Sequence, residues 1–515
     1  MKQLNFFLNT IQGSIWGLLN KFFAIFLPFV VRTIIIRNLG AEYAGLNSLF
    51  TSVLQVLSLA ELGFASAMVY EMYKPIAENN FAVISALLNY YRKIYFIIGC
   101  VVFFIGMSLT PIIGCLINGD VPQNINIYVL YIIYLSNTVL SYFAFAYRAS
   151  IMSAYQREAD NAKIQLITNS LMYAIQIFIL LVFANYYAYI IILPIFTLLY
   201  NYFRYEYVKK HYPQIICDGA ITISQKKCIK KNISALFLHK VGSVTVNTLD
   251  NIVISSFLGL VLLANYNNYY YVISAVTSFI LVFFNAITAG VGNRLIICDK
   301  ERNLQDFYSI FYFNGIVVAI STTCLYSSFQ NFIAIWVGKE FLFPEKTMAL
   351  ICIYFFIHTI RRTIISYRDA AGMWVDNKWQ PIVSSILNLT LNLISIKYIG
   401  VNGVICSTII SMILVDIPWE TGRLIRNIFN QSPKCYYIYF CLFFVLTIIS
   451  CFIVRYVVRL ICLKNICIQI IVELFIGFFV SFILILIFSF KSKSFQFMCK
   501  KTKILLKNTY KKTSD

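Results

Sequence analysis

Apolar runs of about twenty residues, broken by short polar or charged stretches, recur along the whole chain. Read against turn and charge signals, they predict helices near 8–36, 47–73, 83–110, 125–150, 164–184, 187–207, 234–257, 266–290, 306–329, 346–368, 382–397, 402–422, 436–458 and 466–489. About 20 residues at a 1.5 Å rise cross a hydrocarbon core roughly 30 Å thick. The pattern therefore predicts an all-α polytopic membrane protein of about 14 transmembrane helices. The longest break, 208–232, is basic and lies midway. It divides the chain into two pseudo-symmetric six-helix lobes, 1–208 and 233–425, joined by a linker over 209–232. A C-terminal helix pair at 436–490 and a polybasic tail at 491–515 complete the expected organisation.

Composition agrees with the class: 60% of the 515 residues are apolar and only 12% charged. Charge adds an orientation. An even number of spans puts both termini on one side, and cytoplasmic flanks carry the Lys/Arg excess. With the termini cytoplasmic, 32 of the 42 Lys and Arg fall inside and eight outside, while Lys21 and Lys240 lie within spans. The discordant place is the last hairpin, where Arg455, Arg459 and Lys464 face outward. The N-terminus lacks a compact apolar core followed by a small-residue cleavage site, so it is expected to lead straight into the first helix. The fourteen cysteines are scattered, without CxxC pairs or a metal-spaced Cys/His cluster, and read as packing residues. No metal site is expected. Sliding residues 20–80 by 219 positions superimposes Lys21 on Lys240 and Leu39-Gly40 on Leu258-Gly259, a weak sign of a parallel repeat.

The candidate chemistry is the ionisable set inside the spans. Arg361 and Arg362 lie well inside the tenth span. Because a guanidinium at the bilayer centre costs about 2.5–3.5 kcal/mol, the pair needs water, protein or an anion to receive it. Tyr354, His358, Arg361, Arg362, Arg368 and Asp369 follow helical spacing, so they are expected to share one cavity-lining face while the opposite face meets lipid. The plainer account has the pair reaching for the helix end. Glu61 is too deep in the second span to snorkel and must be paired with Lys21 or Arg32, protonated, or placed beside an aqueous cavity as a coupling site. Lys21, Arg32 and Lys240 are candidates for a cationic cavity, against snorkelling or internal pairing. Asp250 could neutralise the surroundings of Lys240 or gate the outer side, and His239 and His358 read more readily as packed polar residues than as ligands or catalysts. Soluble catalytic signatures such as GxxxxGK[ST], HExxH and GxSxG are absent, so the chain reads as no enzyme and active transport would draw on an ion gradient or the membrane potential.

Residues 32–50, RTIIIRNLGAEYAGLNSLF, followed by 57–80, LSLAELGFASAMVYEMYKPIAENN, resemble the opening of bacterial Wzx-type polysaccharide flippases. These form part of the multidrug/oligosaccharidyl-lipid/polysaccharide (MOP) superfamily. A second match runs from 361 to 411 and contains Tyr367-Arg368-Asp369-Ala370-Ala371-Gly372, Trp379-Gln380-Pro381 and Gly400-Val401-Asn402-Gly403. The resemblance covers at least residues 10–425. It implies an alternating-access fold in a bacterial plasma membrane that carries undecaprenyl-pyrophosphate-linked oligosaccharide repeat units from the inner to the outer leaflet. Its partners would be that lipid-linked oligosaccharide, membrane lipids, and the polysaccharide polymerase and assembly machinery, with no nucleic acid and no cofactor beyond a proton or sodium gradient. Relatives that flip peptidoglycan precursors use cations on the first helix, a role for which Lys21 and Arg32 are placed.

The residues themselves agree with that implication. A lipid pyrophosphate needs a wet cationic cavity, and moving one negative charge outward gains about 2.3 kcal/mol per 100 mV of membrane potential. Two rivals stand beside it. A multidrug exporter of the same superfamily would be expected to show an acidic lumen, and a membrane polymerase or O-acyltransferase would need a large outer loop or an indispensable His358.

Overall fold

The computed structural model describes residues 6–61, 64–119, 121–223, 225–227, 229, 248–373, 377–461, 463–490, 492 and 495–497. Among these residues every regular element is helical. The order is α1 (Phe6–Asn38), α2 (Ala41–Leu57), α3 (Phe64–Ala77), α4 (Phe81–Leu109), α5 (Ile127–Phe143), α6 (Ala149–Ala154), α7 (Glu158–Val182) and α8 (Tyr186–His211). A short apolar helix follows, α9 (Thr248–Leu258). Then come α10 (Leu260–Ile297), α11 (Lys300–Trp336), α12 (Glu345–Ile360), α13 (Arg362–Ala370), α14 (Gln380–Ile399), α15 (Val401–Ser411), α16 (Ile417–Phe429), α17 (Lys434–Leu460) and α18 (Ile466–Ser489).

Eleven helices among the described residues are long and apolar enough to cross a membrane, or twelve if α5 and α6, bent by 49°, form one span. The chain is a multi-pass membrane protein. The expected fourteen spans are not all present as whole helices. Most of the seventh, 234–257, including His239 and Lys240, lies outside the described residues. The second is broken by a 3-10 turn at Ser58–Glu61. The tenth is interrupted at Arg361, and the twelfth contains a π turn at Met412–Asp416. Pro418 explains the last interruption: it supplies no backbone N–H and its ring crowds the preceding turn, so the ladder widens just ahead of it.

The chain divides into two compact units, Met1–Ala264 and Asn265–Asp515. In the first, α1 packs along α7, α7 along α8, and α5 between α4 and α8. The start of α10 also belongs to this unit. A Cβ on Gly45 of α2 would stand 2.3 Å from the Leu260 carbonyl oxygen, so only glycine allows that backbone approach. Gly40 and Gly259 hold φ of +119° and +89°, conformations that L side chains rarely adopt, and each ends one helix and starts another. Both Leu-Gly pairs superimposed by the 219-residue shift thus fall at breaks between helices, and both lie within this unit. In the second unit α11 is the central helix, packed by α12, α17 and α18 around the buried rings of Phe307, Phe311, Tyr312 and Phe329.

Candidate functional site

Two polar constructions stand out, one in each unit. In the first unit a cavity of about 620 Å³ opens among five helices. That volume falls within the roughly 300–1,000 Å³ of typical small-molecule sites. Its walls follow directly from helical spacing. Asn47, Thr51 and Gln55 on α2 and Ser58 at the start of the following 3-10 turn recur every three or four residues and form one polar stripe. Pro28, Val31, Arg32 and Ile35 do the same on α1. Asn137 and Thr138 of α5, Tyr173 and Gln176 of α7 and Tyr189 of α8 add further amide, hydroxyl and aromatic surface.

Arg32 is the one charged residue among those lining this cavity. Its Nη2 donates to the Ala264 carbonyl at 3.0 Å, which fixes one edge of the guanidinium. Much of the rest is pre-ordered. Tyr134 donates to Asn47 Oδ1 at 2.9 Å, Thr197 donates to Asn137 Oδ1 at 2.7 Å, and Gln176 Nε2 donates to the Tyr189 carbonyl at 3.2 Å. The Oε1 of Gln176 is buried without a donor, an acceptor left for water or a ligand hydroxyl. A cavity of this kind suits an oxygen-rich, anionic guest.

Glu61 lies just beyond the end of this stripe, at the 3-10 turn rather than in mid-helix. Tyr95 donates a short hydrogen bond to its Oε1, and Tyr91 donates to the Tyr95 hydroxyl at 2.8 Å. The Tyr142 ring packs edge-on against Tyr95 at 5.7 Å. The expected ion pair with Lys21 or Arg32 is therefore replaced, among the described residues, by a shell of phenols. These satisfy a carboxylate without bringing a second charge into the membrane. Glu61→Gln is expected to melt close to wild type, because the amide oxygen accepts the same phenol proton. Glu61→Leu should lose about 1–3 kcal/mol by leaving Tyr95 without an acceptor. Identical melting of all three proteins would show that the contact contributes nothing. Lys21 is half-buried on α1 and is not among the residues lining the cavity.

The second construction surrounds Arg361. The helix breaks there, and Asn314 Nδ2 of α11 donates to the freed carbonyls of Thr359 and Ile360 at 3.3 and 2.9 Å. Arg361 reaches Asp416 Oδ2 at 2.8 Å and Glu420 Oε2 at 3.0 Å, with only 6% of its surface exposed. Arg368 joins from the next turn, 3.1 Å from Glu420 Oε1 and 2.9 Å from Asp369 Oδ1. Gln380 Nε2 donates a short hydrogen bond to Asp416. Two buried guanidiniums are thus each paired with two carboxylates, Glu420 being shared between them and Asp369 reaching the surface of the cluster.

Arg362 points elsewhere. Its Nη2 donates to His358 Nε2 at 3.1 Å, which requires that nitrogen to be unprotonated, and the His358 ring stacks on Tyr354 at 5.6 Å. Tyr354 in turn lies 3.3 Å from the Tyr270 hydroxyl. Nor does an opposite face of α12 meet lipid, since Tyr354, Phe355, Phe356 and Ile357 are buried in succession. The expectation of one polar face across the tenth span gives way to two groups, because Arg361 and Arg362 are consecutive and so stand about 100° apart around the helix: Tyr354, His358 and Arg362 follow one line at i, i+4, i+8, while Arg361 and Arg368 follow another at i, i+7. Asp250 is fully buried on α9 beside Asn251, which donates to Ser52 Oγ at 2.9 Å. The partner proposed for it, Lys240, lies outside the described residues.

Asp416 and Glu420 were not among the candidates, although two acids four residues apart in the apolar run 402–422 are a visible signal. The α2 stripe carries no ionisable group, so only the helical spacing of its amides and hydroxyls marks it in the sequence.

No protein-family model matches the chain, and no curated protein matches it. Among solved structures it is similar to "Lipid II flippase MurJ, inward closed conformation", with a TM-score of 0.62 and 17% identity over 93% of this chain and 99% of that one. It is also similar to an inward-facing multidrug resistance MATE family transporter of the MOP superfamily, with a TM-score of 0.61 and 12% identity over 80% and 98%. A MATE protein in a bent conformation gives 0.52 and 13% over 79% and 93%. The class is therefore a polytopic helical membrane protein with the architecture of known transporters. More particularly, the fold is similar to that of the lipid II flippase and of the inward-facing MATE transporter.

Proposed function

We propose that this protein is a Wzx-type flippase that moves undecaprenyl-pyrophosphate-linked oligosaccharide repeat units from the inner to the outer leaflet of a bacterial plasma membrane. The observation that carries this reading is the cavity of the first unit, where Arg32 is the one charge among amides, hydroxyls and tyrosine rings. An anionic head with sugars attached needs a cation for the phosphate and hydrogen-bonding walls for the hydroxyls. Arg362, with no carboxylate partner among the described residues, is the second candidate cation, while Arg361 belongs to the neutralised network. Lys21 and Lys240 rank below them. The fold shared with a lipid II flippase supports a lipid-linked substrate. Transport would draw on the membrane potential or on a proton or sodium gradient, with both termini cytoplasmic and the product passed to the polymerase.

A second reading, a multidrug exporter, is supported by the MATE likeness. Cationic drugs need a carboxylate where they bind, and none lines the Arg32 cavity. An acyltransferase would need His358 as a base, and its Nε2 is already bonded to Arg362. Purified protein in liposomes is expected to translocate a labelled lipid-linked oligosaccharide, scored by access of an external glycan-cleaving enzyme, and to leave a cationic dye gradient unchanged. Dye efflux without oligosaccharide translocation would replace the first reading by the second.

A further inference from the structure

A second cavity in the first unit, of about 570 Å³, opens where α5 bends into α6. Arg92 and Lys93 stand at one end, and Phe96, Ile97, Phe143 and Phe145 form its floor and sides. The order along α4 resembles the order of groups in a lipid. After Lys93 the chain runs free of charge from 94 to 116, about the length that fills a hydrocarbon core. The two cations therefore sit at the edge of that core, level with lipid phosphates. The exposed side chains Phe96, Ile97, Val101 and Phe104 continue along the same helix into its apolar depth.

The bend that opens the groove is held in a costly conformation. Phe145 has φ of +56°, a region that bulky side chains avoid and that persists where surrounding structure imposes it. A Cβ on Gly99 would fall 2.5 Å from the Phe143 ring, so glycine leaves space for that ring beside α4. Next to the bend, Arg148 is nine-tenths buried, lies 4.4 Å from the centre of the Tyr205 ring and has an Nε without a hydrogen-bond partner. Among the described residues neither Arg92 nor Lys93 has a carboxylate partner, so the head end of the groove is net positive.

We propose that this groove binds one anionic phospholipid of the surrounding leaflet, with its phosphate on Arg92 and Lys93 and an acyl chain over Phe96, Ile97 and Phe143. Charge complementarity selects the occupant. A zwitterionic head would bring its own ammonium against two cations, whereas a singly anionic head offers only acceptors. Position selects it as well, because the floor is the exposed face of α4. The Arg32 cavity is lined by a separate set of side chains and shares none with this groove.

The test is native mass spectrometry of the full-length protein in detergent, titrated with dioleoyl phosphatidylglycerol or with dioleoyl phosphatidylcholine of the same chain length. The first phosphatidylglycerol adduct is expected at a concentration at least tenfold lower than the first phosphatidylcholine adduct. Arg92→Gln with Lys93→Gln should abolish that preference, and Arg92→Lys with Lys93→Arg should keep it. Equal binding of the two lipids by the wild-type protein would overturn the proposal without reference to any variant. So would a preference undiminished in the double glutamine variant. Displacement of phosphatidylglycerol by equimolar undecaprenyl phosphate would overturn the assignment to a phospholipid and give the groove to the isoprenoid lipid.

Discussion

Glu420→Ala is expected to lower stability by about 3–5 kcal/mol, read as a depressed melting temperature of the purified protein in detergent. The carboxylate bridges Arg361 and Arg368 at 3.0 and 3.1 Å with 2% of its side chain exposed. Its removal leaves Arg361 with Asp416 alone and Arg368 with the partly exposed Asp369. Breaking a buried ion pair from one side is costly because the remaining charge stays buried and uncompensated, even where the intact pair contributes little over an apolar replacement. A joint replacement, Glu420→Leu with Arg361→Met and Arg368→Met, should therefore recover part of the loss. A wild-type melting temperature for Glu420→Ala would show that water or a rearranged partner reaches these guanidiniums.

Arg32→Ala should leave the protein folded and cripple translocation. A charge-assisted hydrogen bond contributes about 1.5–3 kcal/mol, and each 1.4 kcal/mol is a factor of ten. The half-saturating concentration of lipid-linked oligosaccharide is expected to rise roughly 10- to 100-fold. Arg32→Lys should lie between, since a lysine keeps the charge but not the fork that holds the Ala264 carbonyl and a ligand oxygen together. Arg32→Gln, similar in size and able to donate, separates charge from packing. Unchanged translocation by Arg32→Ala at wild-type expression would remove the cavity from the transport path and the proposed function with it.

These predictions rest on different degrees of legibility. Arg32 was visible in the sequence as an intramembrane cation, but so were Lys21, Arg361 and Arg362, and nothing local separates them. What separates them is the partner each meets. Arg361 meets Asp416 and Glu420, 55 and 59 residues along the chain, and the π turn before Pro418 lies between Ser411 and Ile417, setting the phase of the helix that carries both acids. Arg32 meets a backbone carbonyl and an open cavity. Glu61 was legible as a carboxylate that must be satisfied. That phenols rather than cations satisfy it depends on α4 placing Tyr91 and Tyr95 beside the 3-10 turn. The stripe of Asn47, Thr51, Gln55 and Ser58 was legible by spacing alone.

The sequence by itself determined the solvent of this protein and the grain of its fold. Runs of apolar residues can satisfy their backbone in lipid only as helices, so the all-α, multi-pass character follows from composition and period without any tertiary contact. The Leu-Gly pairs at 39–40 and 258–259 are visible in the sequence, and the positive φ of Gly40 and Gly259 explains why a helix ends at each. Which buried charges pair with one another depends on the packing of distant helices. A charge inside a membrane takes its meaning from what lies within a few ångströms of it. Those neighbours come from helices dozens of residues away, Asp416 and Glu420 for Arg361 and Tyr95 for Glu61, and the hydrophobic period does not reveal which helices meet.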